Sequence, residues 1–208
     1  MTATLVVLAK APVAGRAKTR LCPPCSPQQA ADLACAALQD TLDAVLAAPA
    51  DRRVVVLEGA PGDWLPDGFE LLPQRGEGLD ERLAAAFEDV GGPSLIVGMD
   101  TPQVGPEVLG HGLALLDSTG VDAVLGLALD GGYWAIGLRR PDRRLLEGVE
   151  MSSPLTGAQQ HVRLRAHALN VRLLPPLRDV DLIADAHAVA SLAPDGRFAR
   201  VLAGAAAA

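Results

Sequence analysis

Short apolar runs and longer amphipathic stretches alternate along the chain. Thr4–Ala9 is an unbroken, almost wholly apolar run, the pattern of a strand covered on both faces. Lys10 to Pro24 follows as a loop rich in proline, glycine and basic residues. Ser26 then reads as a helix N-cap, with Pro27 at the first helical position and Gln29 completing a capping box. Ala30, Ala34, Ala37, Thr41 and Val45 recur at helical spacing and form that helix's buried face, which ends before Pro49. Arg53–Leu57 is a second buried strand, Gly59 to Gly68 a loop, and Phe69–Leu72 a short third strand. Leu79, Leu83, Phe87 and Val90 line one face of the next helix, terminated by Gly91-Gly92-Pro93.

The alternation continues in the second half. Ser94–Val97 is a fourth strand, Gly105–Ser118 a helix, Asp122–Leu127 a fifth strand and Tyr133–Leu138 an extended segment. A helix over Pro154–Ala168, a strand over Val171–Leu174, a helix from Asp181 to Leu192 and an alanine-rich helical segment follow. Strands that alternate with helices need right-handed crossovers and a mainly parallel sheet. The expectation is therefore an α/β fold, one Rossmann-like three-layer α/β/α domain over 1–208 with a mainly parallel, mixed sheet and a frayed tail at 203–208.

Composition supports one packed core. Half of the 208 residues are apolar but only 3% are aromatic, so alanine, valine and leucine must fill the interior. The net charge of −7 provides no global attraction to nucleic acid or anionic lipid, and a polyanionic ligand must be held locally. Arginine supplies 16 of the 18 basic residues; the two lysines, Lys10 and Lys18, both lie in the first loop. A lysine ammonium is a compact point charge suited to phosphate oxygens, and arginine does not replace it freely. Three cysteines, an odd number, point to a reducing compartment rather than a disulfide framework. With a strand in place of a signal peptide and no apolar stretch long enough to span a bilayer, the expectation is a cytoplasmic protein without membrane or nucleic-acid partners.

Ligands of open α/β sheets bind beyond the C-terminal ends of the strands, and three such ends carry unusual residues. The first loop, Lys10 to Leu21, places Lys10, Arg16, Lys18 and Arg20 around Gly15 and the hydroxyl of Thr19. Such a loop can wrap a di- or triphosphate with cationic and backbone N–H groups, although it matches neither a Walker A nor a G-x-G-x-x-G spacing; a solvated basic loop is the plainer reading. Asp100, in Gly98-Met99-Asp100-Thr101-Pro102, follows an apolar strand directly and suits Mg²⁺ or Mn²⁺; a turn-capping aspartate is the alternative. Asp130-Gly131-Gly132-Tyr133-Trp134 reads either as a hairpin turn with a core aromatic pair or as a place for close substrate approach beside an aromatic platform. Asp179-Val180-Asp181 precedes a late helix and can return a second carboxylate to the metal.

Together these segments resemble the nucleotide-diphospho-sugar transferase superfamily of GT-A type, and more closely a bacterial family of small candidate glycosyltransferases. That family's pattern K-x-P-x-x-G-x-x-K-T-R-L, G-x-D-x-P, D-G-G-Y and D-V-D is matched by Lys10 to Leu21, Gly98 to Pro102, Asp130 to Tyr133 and Asp179 to Asp181. Gly76 to Leu83 resembles its G-x-x-L-x-x-R-[ML]. The resemblance implies a metal-dependent transferase that takes a nucleotide sugar, binds Mg²⁺ or Mn²⁺, and moves the glycosyl group to a small acceptor. It implies Lys10, Gly15, Lys18, Thr19 and Arg20 at the phosphates, and Gly131, Gly132, Tyr133 and Trp134 at the substrate. Asp100 corresponds to the last carboxylate of the usual D-x-D; Gly98 stands at the first, and Asp181 is the implied second ligand. Asp130 is implied as general base or acceptor contact. The Lys-Thr-Arg-Leu loop also resembles 2-phospholactate guanylyltransferase, which implies the alternative of joining a nucleoside triphosphate to a small phosphorylated acid. A non-catalytic nucleotide-binding module is the third reading.

Other residues carry less. Cys22-Pro23-Pro24-Cys25 has no second cysteine pair to complete a zinc quartet. His111, His161, His167 and His187 are scattered over predicted helices, and the arginines flanking Pro141-Asp142 read as a solvated loop.

Overall fold

Among the described residues, 3–206 of this computed structural model, the alternating pattern becomes seven strands and six α-helices. In order these are β1 (Thr4–Lys10), α1 (Pro27–Ala47), β2 (Arg53–Glu58), β3 (Glu70–Pro73), α2 (Leu79–Val90), β4 (Ser94–Gly98) and α3 (Pro106–Asp117). Then come β5 (Ala123–Ala128), β6 (Tyr133–Leu138), α4 (Thr156–Ala166), β7 (Val171–Leu177), α5 (Ile183–Leu192) and α6 (Arg197–Ala206). The strands form one sheet in the order β3-β2-β1-β4-β6-β5-β7. β1 pairs in parallel with β2 and β4, β2 with β3, and β5 with β7. β6 runs antiparallel to both β4 and β5, which makes the sheet mixed. Its reversal has a local cause: Asp130–Gly132 turns the chain back tightly, with the Ala128 N–H donating to the Gly132 carbonyl at 3.0 Å.

Successive residues of each central strand feed opposite layers, as the period of two requires. Leu5, Val7, Leu95 and Val97 face α1 and α3 in one cluster. Val6, Val54, Val56 and Ile96 face Leu83 and Phe87 of α2 and Leu164 of α4 in the other. Helix α1 is buried on two sides, because Ala30, Leu33 and Ala37 also pack on Val189 of α5 and on Phe198 and Leu202 of α6. The capping box at Ser26 and Gln29 is formed as the sequence indicates, with Ser26 Oγ accepting from the Gln29 N–H.

Two boundary expectations change. Leu79, placed on the buried face of α2, is exposed at its first turn. Residues 203–206 of the expected tail continue α6, while 207 and 208 lie outside the described residues. No helix is long and apolar enough to cross a membrane.

Candidate functional site

The chain passes from β1 to β2 on one side of the sheet and places β4 on the other, so the crossovers diverge at β1. A crevice opens at such a switch point, beyond the C-terminal ends of the strands. The loop leaving β1 is anchored from within. Ala17 is buried against the sheet core, and Leu21, in a single 3-10 turn (Thr19–Leu21), is buried against α1, α5 and α6. Between these anchors Lys18 adopts the left-handed conformation, φ 48° and ψ 39°. Its side chain turns inward and is only 9% exposed. Gly15, at φ 74°, has open space around it, so its glycine serves the backbone turn rather than a close contact within the chain.

Lys18 meets a set of oxygens drawn from two distant strands. Asp100 follows β4; Asp179 and Asp181 follow β7. The Val180 N–H donates to the Asp100 carbonyl at 2.9 Å and locks the two strand ends together. Lys18 Nζ lies 2.9 Å from an Asp100 carboxylate oxygen and 3.6 Å from one of Asp181, and donates to the Val180 carbonyl. Arg20 holds the other oxygen of Asp181 at 2.8 Å. Asp179 Oδ1 is buried without a hydrogen-bond partner. Burial, the neighbouring charges of Asp100 and Asp130, and more weakly Asp181 push the Asp179 carboxyl up to about 7 against the pull of Lys18.

These donors suit a hard dication, which takes carboxylate and carbonyl oxygens, and the orphaned Asp179 oxygen leaves one acceptor to spare. Among the described residues, however, no three acidic, histidine or cysteine side chains stand grouped to hold a metal. The ammonium of Lys18 stands at the point where Asp100, Asp181 and Val180 converge.

Two cavities flank this centre. The first, about 300 Å³, lies over the ends of β1 and β2 and includes Lys10, Glu58, Gln74 and Arg82 in its wall. Lys10 Nζ is 3.2 Å from Glu58, and Arg82 bonds the other oxygen of that carboxylate. Burial raises the Glu58 pKa, but its bonds to Arg82 and Lys10 outweigh this and hold it below the usual value. The Gln74 amide donates to the carbonyls of Ala9 and Val56, at 2.7 and 3.2 Å. The second cavity, about 480 Å³, is bordered by Arg20, Asp130, Tyr133, Ser153, Asp179 and Asp181.

The residues of the β5–β6 hairpin divide. Asp130 is exposed beside the second cavity, and its Oδ1 accepts from the Gly132 N–H at 2.9 Å. Tyr133 borders both cavities, and burial, with the charge of Asp80, pushes its hydroxyl above the ordinary range. Trp134 is a core residue at 2% exposure, packed on Gly126, with its indole N–H donated to the Pro175 carbonyl. That spends the indole's only donor inside the protein. At Gly131, φ 94°, an added Cβ would overlap the Pro154 carbonyl, so the chain itself makes the close approach for which glycine is needed.

Lys10, Lys18, Thr19 and Arg20 thus line one continuous crevice with Asp100 and Asp181, while Asp130 lies across the second cavity. Sequence reasoning gave no role to Glu58, Gln74 or Arg82 and chose Asp181 over the more deeply set Asp179. A signal existed: Glu58 closes the apolar run Val54–Leu57 just as Lys10 closes the run Thr4–Ala9. Cys22 and Cys25 are free thiols beside the α1–α5–α6 cluster, and burial, then the neighbouring Cys22, raises the Cys25 pKa.

Comparison with known proteins agrees with this architecture. The family model described as "Uncharacterized protein conserved in bacteria (DUF2064)" matches residues 30–153. A candidate nucleotide-diphospho-sugar transferase from Desulfovibrio desulfuricans G20 is 27% identical, with a TM-score of 0.79 over 89% of this chain and 85% of that one. Rv0371c from Mycobacterium tuberculosis H37Rv is 21% identical at a TM-score of 0.61, over 92% of this chain and 98% of that one; it has also been crystallised in complex with manganese. The 2-C-methyl-D-erythritol 4-phosphate cytidylyltransferase of Thermus thermophilus is 17% identical at a TM-score of 0.57, over 93% and 100% of the chains. No curated protein sequence matches the chain.

Proposed function

The chain belongs to the bacterial DUF2064 family, and from the geometry of its site we propose that it is a metal-dependent transferase acting on a nucleotide. The observation that carries the reading is the meeting of Lys18 with Asp100, Asp181 and Val180 at the mouth of the switch-point crevice. Phosphate-binding cations and metal-binding carboxylates are needed at one place, and separate segments of chain converge to supply them. The similarity to the Desulfovibrio protein favours a nucleotide sugar as donor.

In this reading the nucleoside enters the cavity walled by Glu58, Gln74 and Arg82, and its phosphates extend toward Lys10, Lys18, Thr19 and Arg20. Asp100 and Asp181 would hold Mg²⁺ or Mn²⁺, with Asp179 as a further acceptor. When bound, the cation neutralises charge on the departing phosphate group. Gly15 lets the loop backbone close over the phosphates. The acceptor enters the cavity beside Asp130, whose carboxylate takes the proton of the attacking hydroxyl. Gly131, Gly132 and Tyr133 shape that entrance; Trp134 acts by packing beneath it.

Nucleotidyl transfer is the second reading, favoured by the cationic loop of Lys10, Arg16, Lys18 and Arg20, which carries charge enough for a triphosphate. The products separate the two. With Mn²⁺ present, candidate donors are ranked by their effect on melting, since a ligand of the folded state raises stability by mass action. Turnover of the best donor releases a nucleoside diphosphate if glycosyl moves and pyrophosphate if nucleotidyl moves. No stabilisation by any nucleotide, with or without Mn²⁺, sinks both readings.

A further inference from the structure

Lys18 is the only lysine besides Lys10, and it is held in an unusual way. A lysine on a surface loop normally keeps its ammonium in water. This one is 9% exposed, on a left-handed backbone that non-glycine residues adopt at a cost, with its Nζ against two carboxylates and a carbonyl. A cation bound by Asp100 and Asp181 would need the same space, because metal–oxygen distances are shorter than the 2.9 and 3.6 Å that Lys18 already spans. Ammonium and dication cannot share it, since like charges at contact repel strongly in a partly dry site.

We propose that the Lys18 ammonium is a placeholder for the metal: it fills the oxygen set of Asp100, Asp181 and Val180 and must leave before the cation enters. This rests on the reading that Asp100 and Asp181 hold the metal. Lys18 also borders the crevice formed with Lys10, Arg16 and Arg20. Donor phosphates arriving there offer the ammonium another anionic partner, and its flexible stem lets it change partners with little backbone movement. Nucleotide and metal therefore load together, each strengthening the other's binding by the same factor. While Lys18 holds the oxygen set, its ammonium offsets part of the repulsion among the carboxylates.

Two measurements test this. In the first, Mn²⁺ is titrated into nucleotide-free protein and free Mn²⁺ is followed by electron paramagnetic resonance. Lys18→Met should bind Mn²⁺ at least tenfold more tightly than the wild type, and adding Asp100→Asn should abolish the gain. If Lys18→Met binds no more tightly while Asp100→Asn still removes nucleotide-dependent Mn²⁺ binding, the placeholder idea fails and the metal assignment stands. If Asp100→Asn leaves nucleotide-dependent Mn²⁺ binding intact, the metal assignment fails and takes the placeholder with it. The second measurement uses the unaltered chain, so it does not depend on how a variant folds. Amine acylation is followed by mass spectrometry, with Lys10 as internal reference. Saturating Mn²⁺ should speed labelling of Lys18 several-fold relative to Lys10; an unchanged ratio overturns the proposal.

Discussion

Replacing Asp179 by asparagine should stabilise the nucleotide- and metal-free protein at pH 8 and change it little near pH 4. In the folded chain this carboxyl keeps its proton up to a pH of about 7, against an ordinary value of 3.8, because burial and then the charges of Asp100 and Asp130 oppose its ionisation. In the unfolded chain it ionises near the ordinary value. Between those limits the folded state holds the extra proton, so stability falls as pH rises through the window, and the full penalty is present above it. The shift is roughly three units at 1.36 kcal/mol each, an upper limit of about 4 kcal/mol. Water reaching the side chain reduces this to on the order of 2–4 kcal/mol. Asparagine keeps the shape, leaves Oδ1 as unpartnered as before, and cannot ionise. For a chain of this length the gain corresponds to a rise in Tm on the order of 5–15 °C. Thermal unfolding of both proteins from pH 4 to 8 would show the curves diverging as pH increases. Parallel curves, or a variant less stable at pH 8, would refute the argument that Asp179 is ionised at a cost.

Asp100→Asn should abolish Mn²⁺-dependent nucleotide binding by calorimetry, and because it also removes the carboxylate charge paired with the buried Lys18 ammonium it should cost the free protein about 1–3 kcal/mol; retained metal dependence would leave Asp100 only a partner of Lys18. Gly131→Ala should lower Tm, because a Cβ there meets the Pro154 carbonyl at φ 94°; the cost is about 1–3 kcal/mol or more, and an unchanged Tm would show that the Ser153–Leu155 segment yields freely. Cys22→Ala with Cys25→Ala should preserve nucleotide affinity, since both thiols pack beside the helical cluster away from the carboxylates; a lost signal with an intact circular dichroism spectrum would bring the pair into the site.

The pattern of apolar positions was enough for the α/β fold, the capping box of α1 and the reach of the first loop, because local steric and periodic rules dictate them. Lys10 and Asp100 were also legible, as polar residues at or just past the ends of buried strands, and Lys18 as one of the two lysines, both in the first loop. The direction of β6 was only half legible: period two is the same for either orientation, and Asp130-Gly131-Gly132 read equally as a hairpin turn or a substrate loop until pairing with β4 and β5 decided it. The role of Trp134 was no clearer: an aromatic beside a glycine pair reads equally as a core partner or a platform until its indole is found over Gly126 with its N–H spent on Pro175. Asp179 and Asp181 look interchangeable in a line of text. Only the folded chain, by tying Val180 to Asp100, sets one deep among carboxylates with a raised pKa and leaves the other to Lys18 and Arg20. Charge and burial at a site depend on neighbours far away in sequence, and those neighbours exist only once the sheet is assembled.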